Sequence, residues 1–186
     1  ISLLLIPSLV TNLWQAGAGR DLFTILIRLW PLIVTASMMV WFGSVALTTV
    51  SITFLSAFLG IILIFYSILS LFGHRIEVKI KNEWWLAPFI GLINGLLTGM
   101  TGIFVVPCVF YFHAIGLRKD TLVQAMGILF TGLTLMLIVS LKTKNILTLE
   151  LSGWSAFAIL PAIIGVLVGQ LIRKRISEEI FKRIFF

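Results

Sequence analysis

The run from Gly91 to Pro107, Gly-Leu-Ile-Asn-Gly-Leu-Leu-Thr-Gly-Met-Thr-Gly-Ile-Phe-Val-Val-Pro, holds the residues whose types and spacing suit chemistry. Gly91, Gly95 and Gly99 share one face of a helix, where a second backbone can approach closely. Gly102 breaks that spacing, and Pro107 cannot donate a backbone hydrogen bond. Asn94, Thr98 and Thr101 put an amide and two hydroxyls into an otherwise apolar stretch. Two readings are open. In one, the glycines form a packing face and the threonines bond back to the preceding turn. In the other, the helix is interrupted, with breaks at Gly95 and Pro107, and its hydroxyls, amides and freed N–H groups bind an anion. The second reading makes Asn94, Thr98, Gly99, Thr101 and Gly102 an anion pocket. A pocket without carboxylates suits an anion, since a buried negative charge would repel it.

Further candidates lie on other segments. Gln124 and Thr131 stand two helical turns apart, so both can face this stretch. Asn12 and Gln15 occupy a corresponding place near the start of the chain, with Pro7 a kink one turn earlier. Cys108 is the sole cysteine, so no disulfide framework or cysteine metal site is expected, and no metal or cofactor is implied.

The elements that position these residues are read as membrane helices. Pro31 to Phe72, Leu86 to Phe112, Thr121 to Leu141 and Leu151 to Ile172 contain no Asp, Glu, Lys or Arg. With 60% hydrophobic and 11% charged residues and a mean hydropathy of +1.14, a soluble fold would have little to make a solvated surface. Lipid leaves backbone groups unsatisfied unless spans are helices or closed barrels, and continuous apolar runs without period-2 alternation choose helices. The net charge of +7 is not a nucleic-acid footprint, because the basic residues cluster between apolar segments. The expectation is an all-α, polytopic protein in a lipid bilayer, multi-pass in the cell membrane (the inner membrane, in a bacterium). Spans are placed from the start to Gln15, from Trp30 to Thr48 and from Phe54 to Phe72, then at Thr121 to Leu141 and Leu151 to Ile172. The tail from Arg173 is amphipathic.

Sliding the chain on itself by 126 residues superposes Gly43 on Gly169 and brings the spans into register. That predicts one transmembrane domain over 1–186 built from an inverted repeat. Residues 1–73 would be most of the first copy and 86–186 the second without its last span, so the chain reads as a window of a longer one. Charge chooses the threading. If 86–112 crosses fully, the Lys and Arg residues divide seven against seven; if it dips in and returns, they divide twelve against two. The positive-inside rule favours the re-entrant form, with the loops at 16–29, 73–85 and 113–120 and the tail on the cytoplasmic side.

The stretch 95–107, continuing through Tyr111 and Gly116-Leu117 into Leu122-Val-Gln-Ala-Met-Gly-Ile-Leu-Phe-Thr131, resembles the sulfite exporter TauE/SafE family. Here Met100-Thr101 stands where many members carry consecutive glycines. The resemblance implies a permease or exporter of small sulfur-containing or organic anions, such as sulfite or sulfonates. No nucleotide-binding loop is present, which leaves secondary transport or facilitated diffusion. An intramembrane enzyme would want a nucleophile with a base, or a metal cluster, at membrane depth. The apolar stretches offer neither, so no enzyme is expected. A non-transporting membrane scaffold is the other alternative, and homo-oligomerisation is left open.

Overall fold

The computed structural model describes residues 2–71, 80–105, 107–144, 155 and 157–185. Among them every regular element is an α-helix: α1 (Ser2–Gly17), α2 (Leu22–Thr49), α3 (Ile52–Leu71), α4 (Ile80–Thr101), α5 (Cys108–Ala114), α6 (Lys119–Thr143), α7 (Ile159–Arg175) and α8 (Glu178–Phe185). Most of the expected 142–150 loop and the first residues of the span expected from Leu151 lie outside the described residues.

Two of these helices, over Leu22–Ala46 and Lys119–Thr143, are long and apolar enough to cross a bilayer. α1 and α7 comprise 16 and 17 residues. α2 starts eight residues ahead of the expected Trp30. Nothing from Leu22 to Leu29 is Gly or Pro, and Pro31 is carried inside the helix, its carbonyl accepting from the Thr35 hydroxyl at 2.7 Å. The extension places Arg28 on a helix rather than in a loop.

Large apolar side chains face outward as well as into the core, and several polar ones lie inside. Phe23, Ile27, Phe42, Ile61, Trp85 and Leu160 are exposed, while Asn12, Asn94, Thr98, Gln124 and Thr134 are buried. Exposed apolar area on this scale is unfavourable in water, whereas hydrocarbon solvates it and drives polar side chains inward to find partners.

Contacts divide the chain into two compact units. The first comprises residues 1–26 and 118–186. In it α1 and α6 are antiparallel: Gly127 lies against the Asn12 carbonyl and the Ala16 nitrogen, and Gly19 lies against Gln124. The Lys119 ammonium donates to the carbonyls of Arg173 (3.1 Å) and Ile176 (2.7 Å), groups left over at the C-terminus of α7. The Lys119 backbone N–H donates to the Glu178 carboxylate at 3.3 Å, and Phe181 of α8 is buried. The second unit comprises residues 27–117, with most of α2 and all of α3, α4 and α5. Each unit draws on both 1–73 and 86–186.

Candidate functional site

Within the second unit, glycine sets how α4 meets α2. A Cβ on Gly91 would stand 2.7 Å from the Leu32 carbonyl oxygen, one on Gly95 would collide with the Ala36 carbonyl, and one on Gly99 with the Val40 carbonyl. α4 therefore runs parallel to α2 along Leu32, Ala36 and Val40, at a separation closed to any side chain. The helix is unbroken through Gly95, which serves this contact; the chain leaves the helix at Gly102, whose φ of +75° suits a residue without Cβ. Pro107 stands at the N-cap of α5.

Beyond Gly102 the chain doubles back on α4. The Thr98 hydroxyl donates to the Ile103 carbonyl at 3.0 Å. One turn earlier the Asn94 amide donates to the Phe104 carbonyl at 3.1 Å and accepts from the Cys108 N–H at 3.2 Å. The Thr101 hydroxyl donates to the Leu97 carbonyl at 2.7 Å and accepts from the Ile103 N–H at 3.2 Å. Asn94 and Thr98 are fully buried. These bonds satisfy backbone groups that the non-helical segment would otherwise leave unpaired.

At the other end of the hairpin, Arg28 joins both arms. Its Nε and Nη2 donate to the Glu83 carboxylate at 2.8 and 2.6 Å, and Nη2 also donates to the Ile115 carbonyl at 3.3 Å. The start of α4 and the end of α5 thus lie at one level, with the polar turn remote from both. The hollow beside Thr101, lined by Leu59, Ile62, Leu63, Leu97 and Ile103, has a volume of about 10 Å³. That is room for about one water, too little for an anion in this hollow.

The remaining candidates belong to the first unit. The buried Gln124 amide donates to the Ala16 carbonyl at 2.9 Å and accepts from the Asp21 N–H at 3.2 Å, closing the corner between α1 and α2. Asn12 donates to the Thr134 hydroxyl at 3.4 Å. Thr131 bonds the Gly127 carbonyl of its own helix at 2.7 Å, and the Cβ of Gln15 lies against Gly127. Pro7 sits inside α1, its carbonyl accepting from the Thr11 hydroxyl at 2.9 Å.

A family model described as sulfite exporter TauE/SafE matches residues 1–186, the whole chain. The chain belongs to the TauE/SafE family. No curated protein and no solved structure matches it. The likeness read from residues 95–131 therefore extends over the full length, and the protein belongs to a family of membrane transporters.

Three polar residues of this TauE/SafE protein escape a reading of its sequence. Arg28 falls in the expected 16–29 loop, ahead of the span placed from Trp30, and Glu83 falls in the expected 73–85 loop. Thr134, the partner of Asn12, carries no local signal, because its role depends on α1 packing against α6. For the ion pair a weak signal exists: Glu83 lies in the first turn of α4, where a carboxylate complements the helix dipole.

Proposed function

We propose that this protein is a multi-pass transporter of the cell membrane that moves small sulfur-containing or organic anions, sulfite and sulfonates among them, by secondary transport. The carrying element is the hairpin of residues 80–117, read as a re-entrant segment with both ends on the cytoplasmic side. One observation supports this above the rest: Arg28 ties Glu83 to Ile115 while Asn94 and Thr98 hold the non-helical turn at the far end. Irregular backbone at membrane depth is tolerated where protein buries it or where it lines a watery path. Asn94, Thr98, Gly99, Thr101 and Gly102 are the proposed anion site. Their hydroxyls and amide hold the hairpin in the closed form, and opening of the hollow beside Thr101 would release them and the backbone N–H groups of the turn to the anion. The partners are then the anion and the bilayer, with no cofactor in the step.

Flux tests the reading. Purified protein in liposomes should move sulfite and methanesulfonate saturably. Gly102→Val, which forces a β-branched residue into the left-handed region, should abolish flux while the protein stays in the membrane. No flux above protein-free liposomes for any small sulfur oxyanion would reject a transport function.

A further inference from the structure

We propose that the cleft beside Arg28 is a separate binding site for an oxyanion group, such as that of a small sulfonate or a lipid phosphate. It lies at the opposite end of the hairpin from the turn and stands without the transport reading, because binding alone tests it. The cleft has a volume of about 270 Å³ and is lined by Ile27, Arg28, Pro31, Glu83, Trp84 and Ala87.

Half of the guanidinium is engaged. Nε and Nη2 face Glu83 and Ile115, and among the described residues both N–H groups of Nη1 have no protein acceptor. The Arg28 side chain is 37% exposed where Glu83 is 8% exposed, so the cation is the open member of the pair. Charged donors of a planar guanidinium suit the oxygens of an oxyanion. Trp84 packs edge-on against Trp30, ring centroids 6.0 Å apart, and Trp85 beside it is exposed. Tryptophans so placed mark the membrane interface, where dissolved anions and lipid headgroups both arrive. Glu83 neutralises much of the guanidinium charge, so it sets how tightly an anion is held.

Methanesulfonate titrated into the purified protein in neutral detergent should give a saturable change in tryptophan fluorescence that Trp84→Phe removes. Trp84 is 67% exposed, and phenylalanine keeps an aromatic ring beside Trp30. Glu83→Gln keeps a hydrogen-bonding side chain but removes the competing charge, and should tighten binding about tenfold or more. Short-chain phosphatidylglycerol, titrated in parallel, separates the two sources: whichever probe gives the Trp84-dependent signal at the lower concentration is the better fit, and either one supports the site. A response that survives Trp84→Phe, or no response to either probe, overturns the proposal. A folded Glu83→Gln protein that binds no more tightly also overturns it. Should that variant not fold, the wild type and Trp84→Phe decide alone.

Discussion

Asn94→Ala perturbs the hairpin at its most connected side chain. The substitution leaves the buried Cys108 N–H, bonded at 3.2 Å in the native protein, without that acceptor, and it removes one donor from the Phe104 carbonyl, which also accepts from the Cys108 thiol at 3.2 Å. The orphaned N–H costs about 1–3 kcal/mol, and the bond lost from the Phe104 carbonyl adds about 0.5–1.5 kcal/mol. The third contact, to the Thr98 hydroxyl at 3.4 Å, is long and adds little. Alanine returns about 0.6 kcal/mol through helix propensity, so the net loss is about 1–4 kcal/mol, concentrated in the link between α4 and α5. Cys108 provides the assay, being the sole cysteine and fully buried. Its reaction with a thiol reagent under native conditions reports opening of the hairpin, and a loss of about 2 kcal/mol speeds labelling roughly 30-fold. Thr131→Val is the control, because that hydroxyl bonds only within its own helix, and it should label as the wild type does. If Asn94→Ala labels within about threefold of the wild type and melts at the same temperature, the three bonds do not hold the hairpin and the reasoning fails.

Three further outcomes are expected. Gly95→Leu should prevent accumulation of folded protein, since even a Cβ collides with Ala36, whereas Gly169→Leu on the open face of α7 should be tolerated; equal yields would contradict the packing. Gln124→Ala should cost about 1–3 kcal/mol through two lost hydrogen bonds, one of them buried, and it should lessen the damage of Gly19→Ala, whose Cβ meets the Gln124 amide. Strict additivity in that double-mutant cycle would show that the contact is not made. Single cysteines replacing Lys119 and Lys174 in a Cys108→Ser background should resist an impermeant reagent in intact cells, while those replacing Thr49 and Lys144 react. Labelling at both Thr49 and Lys119 would defeat the re-entrant threading.

Helix class, the membrane setting and the family were accessible from residues in order along the chain. Those properties follow from local composition: long uncharged apolar runs admit a helix and lipid, and the Gly95 to Pro107 signature is contiguous. The small-residue face of Gly91, Gly95 and Gly99 was equally accessible, because helical periodicity alone puts these positions together. The partner was not. Packing against Leu32, Ala36 and Val40 depends on the register between two helices that no local pattern encodes. The same limit left two readings of Asn94, Thr98 and Thr101 standing. A side chain's hydrogen-bonding capacity belongs to its chemistry, but which group takes it up depends on where the chain returns after Gly102. In the folded protein the returning backbone takes it up. Arg28 shows the limit most plainly. The sequence marks it as one cation among others beside Trp30-Pro31, and only the tertiary structure brings it to Glu83 and Ile115. An ion pair to a residue 55 positions away and a hydrogen bond to a carbonyl 87 positions away leave no local pattern, because their energy comes from desolvation and geometry that exist only after the helices have packed.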